Sequence, residues 1–213
     1  MPEGSPNRST LALLKEQALG RGEPIIYLWG APGVGLTHLL QASGHEAQDA
    51  GLSIQYLPLN DLVDYTPDAL FEGLEHLDLV CLDGLEAIAG KPDWEEALVH
   101  LFNRLRDADR RLLVAAMSSP RELPMELPDL RSRLQWGITS QVQALTDEQK
   151  QQALRQRARA RGLELNDEVA HYILQRVPRD MNKLFFYLQR LDQASLAEQR
   201  RLTIPFVKKV LNL

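Results

Sequence analysis

Cys81 is the only cysteine in the chain. It has no partner for an internal disulfide, and a reducing compartment is its natural setting. No apolar run is long enough to cross a bilayer, and no secretory leader precedes the first strand pattern, so a cytoplasmic protein without a membrane partner is expected. An excess of positive charge is also missing. The formal net charge is -5, which excludes a general magnet for nucleic acid or anionic lipid and leaves little expectation of direct sequence-specific DNA binding. The five histidines, at 38, 45, 76, 100 and 171, show no metal-ligand spacing with the lone cysteine. There is no nucleophile elbow, no Ser-His-Asp pattern, no internal repeat and no low-complexity tract. These absences argue against a zinc module, a hydrolase of the serine type and a solenoid.

The 213 residues suffice for one large domain, or for a core with a small appendage. Short apolar runs at 25–29, 53–57, 79–82, 112–116 and 137–142 read as five strands. Helical patterns lie between them, at 11–19, 37–48, from Thr66-Pro67, 92–106 and 130–134. Such alternation predicts an α/β core with a five-stranded parallel sheet covered on both faces. The pattern changes near Ala144. Thr146 with Gln149 spells a capping box, Gly162 is a C-cap, and Asn166 and Thr203 are N-caps, so only helices are predicted beyond this point. The expected organisation is a nucleotide-binding core over 1–143 and a small all-helical domain over 144–213. The row Arg155, Arg157, Arg159, Arg161 reads first as a solvated helix face, with a phosphate-binding patch as the alternative. Phe185, Phe186 and Tyr187 read as core and interface residues, and Trp29 and Trp136 as core.

Gly30-Ala31-Pro32-Gly33-Val34-Gly35-Leu36-Thr37 has the spacing of a phosphate-binding loop between a strand and a helix. Glycines let successive main-chain N–H groups turn inward toward phosphate oxygens, and the helix start adds partial positive charge. Thr37 is placed to reach a magnesium ion. The motif lacks its lysine, however, since Leu36 stands there. Leucine cannot neutralise β- and γ-phosphate charge, nor charge developing during phosphoryl transfer. Weakened binding is expected, with diphosphate tolerated better than triphosphate, and hydrolysis impaired more than binding. On this motif alone, an ordinary glycine-rich turn stands level with a phosphate loop.

Leu79-Val-Cys-Leu-Asp83 is an apolar strand ending in a carboxylate that can hold a magnesium shell. The alternative is an aspartate that merely ends a strand. Phosphoryl-transfer ATPases usually carry a second acid next. Here that residue is Gly84, and Glu86 is displaced.

Taken in order, the phosphate loop, Leu82-Asp83-Gly-Leu-Glu-Ala-Ile-Ala-Gly90, Ser119-Pro-Arg-Glu-Leu123 and Leu130-Arg-Ser-Arg-Leu-Gln-Trp-Gly137 resemble the AAA+ core of the DnaA family. Gln156-Arg-Ala-Arg-Ala-Arg-Gly-Leu-Glu-Leu165 and Leu202-Thr-Ile-Pro-Phe-Val-Lys-Lys209 resemble its Hda branch of regulatory inactivators more closely. The resemblance implies ADP or another nucleoside diphosphate as the ligand, with Mg2+ through Thr37 and Asp83. It implies DnaA and the DNA-loaded sliding clamp as partners, and a homo-oligomer is compatible with it. It makes Arg133 an arginine finger acting across a subunit interface on ATP held by DnaA. A salt bridge at a helix end is the plainer alternative for Arg133, and Arg131 is a second candidate for the finger. By the same resemblance Arg179 matches a sensor arginine, Met117-Ser118 falls at the other sensor position, and Asn7 lies where such proteins approach the base. The clamp-binding peptide of the form Q-L-x-L is not seen in Met1-Pro-Glu-Gly, and the DNA-binding helix-turn-helix of an initiator is not seen after Leu213. Two other readings stay open: a self-sufficient ATPase of the clamp-loader or initiator type, and a nucleotide-free scaffold.

Overall fold

The computed structural model describes residues 7–178 and 181–213. These form two compact units, one over Asn7–Gln143 and one over Ala144–Leu213.

The first unit is built on five strands: β1 (Ile25–Trp29), β2 (Ile54–Pro58), β3 (Leu79–Asp83), β4 (Arg111–Ala116) and β5 (Ile138–Gln141). All pairings are parallel, in the order β2-β3-β4-β1-β5. The central strands β3 and β4 are apolar throughout because both of their faces are covered. Successive side chains alternate between those faces. Ile26, Leu28, Cys81, Leu113 and Ala115 point to one side, where they meet Leu14 and Ala18 of α1 (Arg8–Ala18) and Leu39, Leu40 and Ala47 of α2 (Leu36–Asp49). Tyr27, Val80, Leu82, Leu112 and Val114 point to the other. There they pack in a cluster that includes Trp94, Leu98, Leu101, Phe102 and Leu105 of α5 (Pro92–Asp107). The short helices α3 (Leu59–Leu62) and α4 (Pro67–Phe71) precede α5, and α6 (Pro128–Arg133) follows β4. The parallel α/β sheet read from the sequence is thus present, while α3 carries no periodic pattern long enough to announce itself.

The second unit packs α7 (Asp147–Ala160), α8 (Asp167–Arg176), α9 (Met181–Glu198) and α10 (Ile204–Leu211) around Leu154, Ile173, Leu184, Leu188, Leu191 and Val207. The capping box is formed, with Thr146 Oγ1 accepting from Gln149 N–H and Gln149 Oε1 accepting from Thr146 N–H. Asn166 and Thr203 cap α8 and α10 by the side-chain bond alone, accepting from the N–H groups of Val169 and Phe206. Gly162 follows α7 at a φ of 76°, the left-handed conformation that a glycine adopts without strain. The arginine row on α7 is largely satisfied locally: Arg155 pairs with Asp167, Arg161 with Asp192, and Arg157 stacks over Phe185. Phe186, read as core or interface, is exposed. Among the described residues no helix is long and apolar enough to cross a membrane.

Candidate functional site

Ligands of open α/β sheets bind beyond the carboxyl ends of the strands. Here that edge gathers the residues after β1, β3, β4 and β5. The register pairs Trp29 with Ala116 and Gln141, and Asp83 with Ala115. Gly30 N–H donates to Ala116 O at 3.3 Å, Gly84 N–H to Ala115 O at 3.1 Å and Val142 N–H to Trp29 O at 2.7 Å, so the four segments leave the sheet side by side.

The loop from Gly30 to Gly35 turns sharply and α2 starts at Leu36. Gly33 and Gly35 have φ of 82° and 102°, conformations closed to most side chains. Nothing lies within 4 Å of where a Cβ on Gly35 would stand. Gly30 has no such room, since a Cβ there would come within 2.6 Å of Val142 O and 2.9 Å of Val34 Cγ2. The side chains of Val34 and Leu36 pack against the apolar cluster of the α1–α2 face, whereas Ala31, Pro32 and Thr37 are exposed. The loop therefore turns its apolar side chains inward and keeps its outer side open. A phosphate group on that side would be met by main-chain amides and by the start of α2. Lysine-type neutralisation has no residue to supply it at position 36.

Asp83 ends β3 and is buried. One of its carboxylate oxygens, Oδ2, accepts from Tyr56 O–H at 2.7 Å. Burial and this contact push the Tyr56 phenol well above its ordinary range. Thr37 hydroxyl and the Asp83 carboxylate are hard oxygen donors of the kind magnesium takes. They are the groups that would hold such an ion, and Oδ2 of Asp83 already accepts from Tyr56. Gly84 has φ 78°, and a Cβ there would lie 2.3 Å from Asn60 Nδ2. A second acid here would carry the strain of the positive φ and would have to displace the Asn60 side chain. Glu86 does not replace it. Its Oε2 accepts from Met117 N–H at 3.2 Å, and its charge, added to burial, raises the phenol of Tyr27, whose hydroxyl donates to Ser118 O at 3.0 Å. At the β4 sensor position, therefore, Met117 turns its side chain to solvent and the Ser118 carbonyl accepts from Tyr27.

Asn7 opens α1. It is buried, and its carboxamide donates to Gln143 O and accepts from Gln143 N–H, both at 2.9 Å, which fastens the start of α1 to the end of β5. Arg179 lies outside the described residues.

A second constellation occupies α6. Its arginines are not equivalent. Arg131 is exposed, with one guanidinium nitrogen donating to Met125 O. The side chain of Arg133 is only 12% exposed. Its Nε and Nη2 both lie 3.0 Å from Asp129 Oδ2, one turn earlier, and Nη1 donates to Asn103 Oδ1 of α5 at 2.5 Å. Trp136 completes the surround, its ring centre 4.9 Å from the Arg133 guanidinium and 5.8 Å from that of Arg106. The helix-end salt bridge weighed from sequence is therefore present, and Arg133 is folded onto its own chain. Trp136, read as a core residue, is instead 51% exposed, because α6 ends just before it and cations take the place of apolar neighbours.

Sequence reasoning passed over Glu95. This carboxylate is 0% exposed. It accepts from Gly90 N–H at 2.8 Å, from Glu126 N–H at 2.9 and 3.0 Å, and from Leu127 N–H at 2.7 Å. It ties α5 to the loop behind the Asp83 segment and to the residues that enter α6. Only its place beside Trp94 on the inward face of α5 hinted at such a role.

A glycine-turned loop between a central strand and a helix, with an acid at the tip of the next strand but one, defines a P-loop nucleotide-binding protein of the AAA+ class. The model of the bacterial DnaA ATPase domain matches residues 3–141, and the model of the Hda lid domain matches residues 147–211. The chain belongs to the DnaA-related AAA+ family and carries a lid of the Hda type. Among solved structures, it is similar to domain III of the replication initiation protein DnaA of Thermotoga maritima, with TM-score 0.82, 22% identity and coverage of 100% of this chain and 92% of that one. It is also similar to AMPPCP-bound DnaA of Aquifex aeolicus, with TM-score 0.75, 26% identity and coverage of 89% of this chain and 62% of that one. The Holliday junction branch migration motor RuvB of Thermotoga maritima shares the fold, with TM-score 0.68, 21% identity and coverage of 96% and 67%. This chain spans less than two thirds of the Aquifex DnaA chain.

Proposed function

We propose that this protein is a regulator of chromosome replication initiation that binds a nucleoside diphosphate, ADP in preference, and promotes hydrolysis of ATP held by DnaA. It acts in the cytoplasm with the DNA-loaded sliding clamp and has little or no ATPase of its own. Arg133 supplies the guanidinium across the interface, a planar and permanently charged donor suited to a γ-phosphate in transition. The observation that carries this reading is an asymmetry. The phosphate loop keeps its main-chain form but has Leu36 where charge is needed and Gly84 where a second acid is needed, whereas α6 keeps two arginines on a helix braced by a buried carboxylate. Such a protein can hold a nucleotide it does not cleave and lend a cation to one that it does not hold. DnaA relatives solved with AMPPCP support nucleotide binding in this fold.

Two measurements test it. Thermal melting with ADP, ATP or neither comes first. A ligand at a hundred times its Kd adds roughly 2.7 kcal/mol, so ADP should raise the Tm and ATP should raise it less. No response to either would favour a nucleotide-free scaffold. The second is single-turnover hydrolysis by ATP-loaded DnaA with clamp and DNA. Arg133→Ala should fold normally, retain its response to ADP and lose stimulation by about three orders of magnitude, the range an arginine finger commands. Unchanged stimulation would discard the finger, and steady ATP turnover by the isolated protein would favour a self-sufficient ATPase.

A further inference from the structure

Arg133 is held in a way that a surface cation awaiting a phosphate is not. Its guanidinium is engaged on several sides: by the Asp129 carboxylate through Nε and Nη2, by Asn103 Oδ1 through Nη1, and by the Trp136 ring over its face. Asn103 and Trp136 are neutral, so Asp129 is the one charge among these partners that opposes transfer of the cation to another anion. The helix beneath is fixed, because buried Glu95 binds the N–H groups of Glu126 and Leu127, and Pro128 begins α6 directly afterwards. Arg133 therefore has to reach a neighbour by swinging its side chain, not by moving α6. Asp129, in contrast, is 57% exposed, which leaves its outer side free to solvent and its hold on Arg133 open to competition. A second guanidinium, that of Arg106, leans on the same Trp136 ring and is itself paired with Asp107 at 3.0 Å.

Building on the reading of Arg133 as a trans-acting cation, we infer that Asp129, with Asn103 and Trp136, forms a latch that stores its guanidinium until a phosphate of the partner's triphosphate displaces the Asp129 carboxylate. Asp129 is then a positioning residue that sets how readily the finger is released. No bond is made or broken in the exchange; one anion replaces another on the guanidinium. The carboxylate left behind is solvated, since it faces water.

The same single-turnover assay separates the alternatives. An exposed ion pair of this kind holds its partner by a factor of roughly two to five. Asp129→Asn should therefore raise the saturating rate of stimulated hydrolysis by roughly two- to fivefold, and Asp129→Glu should restore the wild-type rate. Fluorescence gives a second readout that a purely structural role would not move. Titration with ATP-loaded DnaA should change Trp136 emission as the guanidinium leaves the ring. The change should be lost in Trp136→Phe and in Arg133→Ala, and should be smaller in Asp129→Asn, where the cation is already loosened. If Arg133→Ala abolishes stimulation while Asp129→Asn leaves the rate unchanged or lowers it, the latch is wrong and the finger stands. If Arg133→Ala has no effect, the finger and the latch fall together.

Discussion

The two charged ends of the core have been built in opposite ways. Between Gly30 and Thr37 no side chain carries charge: Gly33 and Gly35 shape the turn while Leu36 and Val34 serve the apolar core. At α6 the charge is kept, and other residues are committed to placing it: Glu95 beneath the helix, and Asn103, Asp129 and Trp136 around Arg133. The contrast teaches where function resides. A cradle of N–H groups is enough to hold an anion, whereas action on someone else's phosphate needs a full positive charge in a defined place.

The largest effect should come from taking away the brace. Glu95→Ala leaves the N–H groups of Gly90, Glu126 and Leu127 without their acceptor in a site closed to water. Each orphaned donor costs on the order of 1–3 kcal/mol, so the loss should be about 3 kcal/mol or more, read as a lower urea midpoint. Glu95→Gln keeps an acceptor and a similar volume, and should cost less and retain the fold. If the contrast between the two ends is real, Glu95→Gln should blunt stimulation of hydrolysis while leaving the Tm response to ADP intact. A variant that lost both together would show the two ends to be one unit.

The next effect works on the other end. Leu36→Lys restores a cation where the loop lacks one. A hydrogen bond to a charged group is worth roughly 1.5–3 kcal/mol, so triphosphate affinity should rise by about tenfold or more, and diphosphate affinity by less. Leu36 is packed against the α1–α2 face, and the exchange also costs some apolar contact, visible as a lower Tm without nucleotide. Isothermal titration with a non-hydrolysable ATP analogue measures the first and melting the second. An affinity that did not move would mean that position 36 does not face the phosphates.

Much of this contrast was legible in the sequence, and the rest was hidden for identifiable reasons. Glycine spacing and apolar runs act locally, so the strand–helix alternation, the loop at 30–37 and the capping box at Thr146 could be read directly. The salt bridge of Arg133 was also within reach, because Asp129 stands four residues before it on one helix face. Glu95 was not legible. Two of its three donors, Glu126 and Leu127, lie about thirty residues further on, and a glutamate in an amphipathic helix ordinarily faces water. Trp136 misled for the same reason in reverse: a large aromatic ring suggests a core, yet this one is bordered by two guanidiniums. The pairing of the Asn7 carboxamide with the Gln143 main chain, 136 residues away, was not legible either, because it is made only by the fold.

The smallest effect serves as the control. Asp78 lies on the amino edge of the sheet, away from the loop at 30–37, and its partners are none of those that hold Arg133. It accepts from Ser53 N–H at 2.9 Å and Ser53 O–H at 2.7 Å, and pairs with Arg110 at 2.8 Å, so that the starts of β2, β3 and β4 are joined. These contacts, those from Ser53 first, hold its carboxyl below the ordinary value of 3.8. A carboxyl with a lowered folded-state value stabilises the fold at neutral pH. That contribution fades once pH falls below 3.8 and is gone below the folded-state value. The group is partly open to solvent, so Asp78→Asn should cost under about 1 kcal/mol at pH 7. The difference from wild type should vanish in acid denaturation carried below that value. The response to ADP should not change, because in an open α/β sheet ligands gather at the carboxyl edge, and the stimulation of DnaA should not change, because Asp78 bonds to Ser53 and Arg110 and to none of the residues that hold Arg133. A loss of either activity in Asp78→Asn would mean that stability alone moves the assays, and the separation between the two charged ends would then have to be sought by other means.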